Sequence, residues 1–232
     1  MQTPVSNFET RIDDSTRSRQ DPAVTVKFRL HRKDSDPGDL NILVWTTTPW
    51  TLPSNLALAV GPDIEYAILH KDGEYLLMGD ATRAAYEKEL EGYEEVSKLK
   101  GEELVERTYE PMFPYFKGRE NCFRVLPGAF VDTSEGTGVV HMAPGFGEDD
   151  QKVCEANGID LVCPVDDRGR YTDEVPDWEG VLVFDANKPI IKVLRERGIL
   201  VRHVTYEHNY PHCWRTREPL CLEAVTSPMM MM

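Results

Sequence analysis

Three stretches of the 232-residue sequence crowd together side chains able to hold a substrate or move a proton. The first is Trp45-Thr46-Thr47-Thr48-Pro49-Trp50-Thr51-Leu52-Pro53-Ser54-Asn55, in which two tryptophans bracket three threonines. Threonine favours strands and proline favours turns, so backbone preference alone accounts for much of this run. As chemistry, hydroxyls can donate to and accept from a ribose or a water, and tryptophan suits a pocket wall. The second is Gly136-Thr-Gly-Val-Val-His141-Met-Ala-Pro144-Gly-Phe-Gly147-Glu148-Asp149-Asp150. Its glycines match neither a dinucleotide fingerprint nor a P-loop, which argues against nucleotide-phosphate binding. Acids in a helix's first turn ordinarily offset the helix dipole, and that reading suffices for Asp149. Asp150, about one turn from the glycine corner, is instead placed to face a cleft and receive an ammonium group. The third is His208-Asn-Tyr210-Pro211-His212-Cys213-Trp214-Arg215. Pro211 forbids the regular helix that would align His208 with His212, so a zinc site is disfavoured and the aromatics read as walls.

The elements that must position these groups are mostly strands. Val24, Val26, Phe28 and Leu30 alternate at period two, and a charged loop, Asp34–Gly38, follows. Leu40–Thr46 and Leu56–Val60 read as apolar strands, while Ile64–Leu69 and Tyr75–Met78 read as a hairpin across Lys71-Asp72-Gly73. Asp80 is expected to cap a peripheral helix over Ala81–Leu90, with Gly92 as its stop. A strand at Gly138–Met142 leads into a helix over Glu148–Asn157 that stops at Gly158. A strand at Ile159–Val165, a helix over about Asn187–Arg197 stopped by Gly198, and a strand at Ile199–Tyr206 complete the reading. Strands this short and irregularly spaced do not form a repeating βαβ pattern. The expected fold is α+β and strand-rich, with a curved, barrel-like sheet and a few peripheral helices. Residues 1–22 read as a polar entry segment, 23–226 as one domain, and 227–232, ending in four methionines, as an artificial tail.

Composition bounds the function. With 41% hydrophobic residues the chain can bury a sizeable core. No stretch approaches the roughly 20 apolar residues of a membrane span, and the N-terminus lacks a signal-peptide pattern, so a cytoplasmic location is expected. Five scattered cysteines without a C-x-x-C pair read as reduced thiols rather than a disulfide framework or zinc knuckle. A net charge of −14 argues against a domain that grips polyphosphate by itself.

Taken in order, the three blocks resemble the editing domain, connective peptide 1, of the isoleucyl-tRNA synthetases, over roughly Val24 to Val225. Valine and leucine relatives carry Thr-Arg-Pro where this chain has Thr48-Pro49-Trp50, which favours the isoleucine branch. Neither His-Ile-Gly-His nor Lys-Met-Ser-Lys-Ser, the signatures of the synthetic site, occurs. The resemblance therefore implies hydrolytic proofreading without aminoacylation, with ATP and magnesium confined to the full-length synthetase. The implied substrate is valyl-tRNA carrying the isoleucine anticodon, with valyl-adenylate a second candidate.

Carried over by motif position, the resemblance assigns the ammonium to Asp150 and the terminal ribose, ester and attacking water to Thr46, Thr47, Thr48 and Asn55. His141, Trp50 and Tyr210 match the side-chain pocket. An ester needs no Ser-His-Asp arrangement, so direct attack by water is expected, assisted by the substrate's own ribose hydroxyl. The general base stays open, with His141 a candidate by type. No metal is called for. The expected partners are the 3′ end of a mischarged tRNA and the rest of a synthetase in cis, and a monomer is the simplest state. A docking module that lost its chemistry and a free-standing deacylase for another mischarged tRNA are the rival readings.

Overall fold

In the computed structural model, residues 16–212 are described. The strands are β1 (Thr16–Arg29), β2 (Leu40–Thr46), β3 (Ala57–Val60), β4 (Glu65–Lys71), β5 (Glu74–Gly79), β6 (Glu94–Lys100), β7 (Arg124–Pro127), β8 (Val139–Met142) and β9 (Leu200–Pro211). Two α-helices, α1 (Glu148–Ala156) and α2 (Val183–Glu196), follow β8. Six strands form one sheet in the order β6-β4-β5-β2-β1-β9, and three form another in the order β7-β3-β8.

Hydrogen-bonded ladders do not close these sheets into a barrel; both remain open. They are stitched instead at two seams. At one, Leu30 bridges to Tyr109 and Thr108 bridges to Arg124; at the other, Gly79 N–H donates to the Thr137 carbonyl at 2.8 Å. Between the sheets lies one apolar core, to which Val24, Val26 and Phe28 of β1 and Ala57–Val60 of β3 contribute together. The period-two pattern of β1 thus does bury the face it marks. Its other face is covered as well, because Tyr86 closes over the second cluster of Leu43, Leu69, Leu76 and Met78 and meets Thr25 Oγ1 at 2.9 Å.

Several local expectations are corrected. Residues 16–22 are not a linker: β1 starts at Thr16 and pairs with β9 out to Pro211. This end of the pair is a narrow ribbon with polar residues on both faces, so no apolar alternation marks it. Asp21 ties it together, accepting from Arg19 Nε at 2.7 Å and lying 3.0 Å from His208 Nε2. The segment after β5 is a 3-10 helix, Asp80–Tyr86, capped at Gly79 and not at Asp80. Asp80 instead holds Arg83 at 2.9 Å and Lys98 at 2.7 Å. Ile159–Val165 is not a strand: it is irregular apart from a single bridge between Val165 and Tyr171.

Helix α2 begins at Val183, four residues before the expected start at about Asn187. Pro189, inside its second turn, forgoes the bond to the Asp185 carbonyl. The turn persists because Val183, Ala186, Ile190, Ile191 and Leu194 form one buried stripe at helical spacing. The glycine stops hold: Gly158 and Gly198 both adopt φ +69°, a conformation that favours glycine at a helix end.

Candidate active site

The threonine run starts on β2 and leaves it in a buried turn. Thr46 is the last residue of β2, and Pro49–Ser54 forms a 3-10 helix in which every residue is buried. Proline at its first position fixes the entry, where its missing N–H costs nothing. Helix α2 then pins the turn: Asn187 Oδ1 accepts from Trp50 N–H at 3.0 Å, and Tyr171 donates its hydroxyl to the Trp50 carbonyl.

Opposite this turn, β8 delivers Val140 and His141, and a tight loop over Ala143–Gly147 feeds α1. Only a glycine fits at 145, where a Cβ would stand 2.2 Å from the Val162 carbonyl oxygen. The three acids that open α1 divide by role. Glu148 and Asp149 are exposed, Glu148 pairing with Lys152 at 2.7 Å. Asp150 turns inward, and its Oδ2 accepts from Ala143 N–H at 2.8 Å.

These elements enclose a cavity of about 270 Å³. Its polar lining is Thr46, Thr47, Thr48, Thr51, His141 and Asp150; its apolar lining is Trp45, Val140, Ala143 and Phe146. Hydroxyls and carboxylate therefore share one space. A larger groove of about 510 Å³ lies over Leu69, Leu90 and Tyr93, but it brings together no row of hydroxyls, and of its charged residues Asp80, Arg83 and Glu87 the first two are paired with each other.

Burial decides the protonation of both titratable groups. It pushes the Asp150 carboxyl up to about 6, with the Asp149 charge adding to the effect and the Ala143 N–H opposing it. It pulls the His141 imidazole down to about 4. His141 is thus neutral at pH 7, and its ring is held between Thr51 Oγ1 at 2.7 Å from Nε2 and Asn55 Nδ2 at 3.1 Å from Nδ1. A carboxyl whose ionisation is opposed by burial gains most from an incoming cation. Such an arrangement can bind an ammonium group beside a row of hydroxyls and an apolar wall.

Of the residues singled out from sequence, Asp150, Thr46, Thr47, Thr48 and His141 meet at this cavity. Trp50, Asn55 and Tyr210 do not line it. Trp50 lies behind Phe146, edge to face at 4.9 Å, because its turn packs against α2. Asn55 lies behind His141, with its amide spent on the Ala57 carbonyl, the imidazole and Tyr109. Tyr210 sits on the β1/β9 ribbon against Phe184 at 6.2 Å, separated from the cavity by Phe184 and Trp50. His208 is engaged by Asp21, and among the described residues no group of three or more His, Cys, Asp or Glu is placed to hold a metal. Cys213, Trp214 and Arg215 of the third block lie outside the described residues.

Lining residues not named from sequence are Trp45, Thr51, Val140, Ala143 and Phe146. Trp45 and Thr51 stood within the quoted run, but nothing local tells which tryptophan faces the cavity. The deciding contacts are distant: Tyr206 meets Trp45 edge to face at 5.4 Å, and Gly136, at φ +70°, brings its backbone against the indole. None of the described cysteines 122, 154 and 163 lines the cavity. No helix among the described residues is long and apolar enough to cross a membrane.

Comparison with known proteins gives consistent relatives. No family model matches the chain. It is 53% identical over 230 residues to the isoleucine-tRNA ligase of Rickettsia canadensis, and 50% identical over 243 residues to that of Rickettsia typhi. Each match covers 97% of this chain but only 21% and 22% of the respective ligase, so the chain spans about a fifth of these relatives. Among solved structures, a leucyl-tRNA synthetase CP1 domain (GlLeuRS-CP1) superposes with TM-score 0.59 at 14% identity, covering 78% of this chain and 98% of that one. The editing domain of the P. knowlesi cytosolic leucyl-tRNA synthetase gives TM-score 0.56 at 11% identity, covering 81% of this chain and 96% of that one. At such low identity these two establish the fold.

Proposed function

Because the chain is homologous over nearly its whole length to a segment of the isoleucine-tRNA ligases and has the fold of synthetase editing domains, we propose that it hydrolyses valine from tRNA mischarged in place of isoleucine. The observation that carries this reading is the meeting of Asp150 with Thr46, Thr47 and Thr48 around one cavity. In a hydrophobic pocket one methylene is worth only about 1–3 kcal/mol, a limit for which isoleucine against valine in this very family is the standard illustration and not a result of ours. A synthetase facing that limit needs a second site that accepts the smaller product.

Each part of the cavity has a task. Ionised Asp150 receives the α-ammonium, a charge-assisted contact that also excludes acylated groups without a free amine. The aliphatic side chain lies against Val140, Ala143 and Phe146, with Trp45 closing the wall. At about 270 Å³ the cavity is below the roughly 300–1,000 Å³ of drug-sized ligand sites, which suits an aminoacylated ribose end, the rest of the nucleic acid staying outside. Threonine hydroxyls hold the ribose, the ester and the water. Hydrolysis proceeds by direct attack of that water on the ester carbonyl, with the free ribose hydroxyl of the substrate assisting. His141 is not the base in this scheme, since its Nδ1 faces Asn55 and its Nε2 faces Thr51. Valyl-adenylate presents the same ammonium and acyl carbon and is a second substrate of the same site.

The test is release of valine from valyl-tRNA by the wild-type chain and by Asp150→Ala. Losing a hydrogen bond to a charged group costs about 1.5–3 kcal/mol, so the variant is expected to turn over about 10- to 150-fold more slowly. A wild-type chain that binds but never deacylates would favour a docking module, and near-normal turnover in the variant would remove the ammonium anchor.

A further inference from the structure

Two residues off the cavity, Asn55 and Tyr109, are linked to the cavity hydroxyls through His141 and Thr51. Tyr109 is fully buried, as is nearly all of Asn55. A backbone carbonyl only accepts, so the 2.9 Å contact between Asn55 and the Ala57 oxygen identifies the Asn55 atom there as Nδ2. Its oxygen then faces Tyr109, whose hydroxyl donates to it at 2.7 Å.

The second amide hydrogen points to His141 Nδ1 at 3.1 Å. Because an amide nitrogen cannot accept, Nδ1 must be the bare nitrogen of the ring. The single hydrogen of a neutral imidazole is therefore on Nε2, and it is given to Thr51 Oγ1 at 2.7 Å. Thr51 in turn gives its own hydrogen to the Thr48 carbonyl at 2.9 Å.

Having spent its hydrogen, Thr51 can only accept from Thr48 Oγ1, 3.2 Å away. Thr48, donating there, accepts from Thr46 Oγ1 at 3.1 Å, and Thr46 also accepts from Thr48 N–H at 3.1 Å. The chain of hydroxyls thus has one direction. Its hydrogens are used internally, and toward the cavity Thr46 and Thr48 present lone pairs. A water held against those lone pairs must donate to them, which leaves its own lone pair free for a carbonyl carbon.

We infer that Asn55 and Tyr109 are positioning residues that fix His141 as the Nε2–H tautomer, and that they thereby orient the water-accepting lone pairs of Thr46 and Thr48 for the hydrolysis proposed above. The inference rests on that proposal for its purpose, but its first half concerns a protonation pattern that can be read without any substrate.

The experiment uses the whole chain labelled with nitrogen-15 in histidine, with His141 assigned by the signal lost in His141→Gln. At neutral pH the His141 pattern should be Nε2 protonated and Nδ1 bare. Asn55→Asp should reverse it, because a carboxylate can only accept and so draws a proton to Nδ1. Tyr109→Phe keeps the ring and removes one hydroxyl. It should lower kcat for valyl-tRNA about three- to tenfold, as expected for one hydrogen bond, with KM unchanged. A His141 protonated on Nδ1, or doubly protonated, in the wild type overturns the inference. So does Tyr109→Phe with full kcat, or with its loss confined to KM, and neither result depends on Asn55→Asp folding. A wild-type chain without deacylase activity would instead sink the editing proposal, while its spectrum still decides the tautomer.

Discussion

Asp150 and His141 line one cavity and are perturbed in opposite senses by the same burial, which gives the site a distinctive pH behaviour. Asp150 has its carboxyl raised from 3.8 to about 6 on folding, so its contribution to stability is whole below about 4 and is lost as pH rises through 6. His141 has its imidazole lowered from 6.5 to about 4, so its contribution is whole above 6.5 and is lost as pH falls through 4. Between those limits the two slopes oppose each other and nearly cancel. Asp150→Asn removes one of them, and urea titrations of that variant should show stability climbing from about pH 4 to pH 6.5, where the wild type stays nearly level. Parallel wild-type and variant profiles would contradict the buried assignments. Deacylation by the wild type is expected to rise with pH through about 6, since only the ionised carboxyl attracts the ammonium.

At the scale of elements, the selectivity proposed above rests on a turn held by a helix. Phe146 forms the cavity wall, Trp50 supports it from behind, and α2 fixes Trp50 through Asn187. Phe146→Ala should let isoleucyl-tRNA be attacked. Trp50→Ala should cost about 3–5 kcal/mol of stability, as truncation of a buried aromatic does. Thermal melts and a comparison of valine with isoleucine release separate the two effects; unchanged rejection of isoleucine in Phe146→Ala would place the size filter elsewhere. The same contrast explains what could be read from sequence. The inward carboxyl at 150 was legible because Gly147, the acids and Gly158 are local signals of one short helix. Which tryptophan faces the cavity was not, because it depends on Asn187, 137 residues from Trp50, and on Tyr206 beside Trp45. Likewise β1 from Val24 announced itself by buried alternation, whereas Thr16–Asp21 is strand only because β9 runs alongside it.

The whole molecule is acidic, with a formal net charge of −14, and corresponds to about a fifth of the ligases it resembles. Affinity for a nucleic acid comes chiefly from Lys and Arg neutralising phosphates and releasing counterions. The isolated chain should therefore bind tRNA only in the range of about 10⁻⁴–10⁻⁶ M at physiological salt, weakening further as salt is added. Fluorescence anisotropy over a salt series measures this, and nanomolar, salt-insensitive binding would mean that the domain grips tRNA by itself. Most strands of the open two-sheet architecture are ones that sequence patterning marks, but β6 is not, since nearly all of its residues are exposed, and the seams at Tyr109 and Thr137 that hold the sheets together lie beyond the strand ends. The most direct test of the account is a crystal structure of the chain with a non-hydrolysable valyl-adenosine analogue. The analogue's ammonium is expected within about 4 Å of the Asp150 carboxylate, the distance of an ion pair, with its ribose against Thr46, Thr47 and Thr48. An analogue seated in the groove over Leu69 and Arg83, or one in the cavity with its ammonium turned away from Asp150, would contradict it.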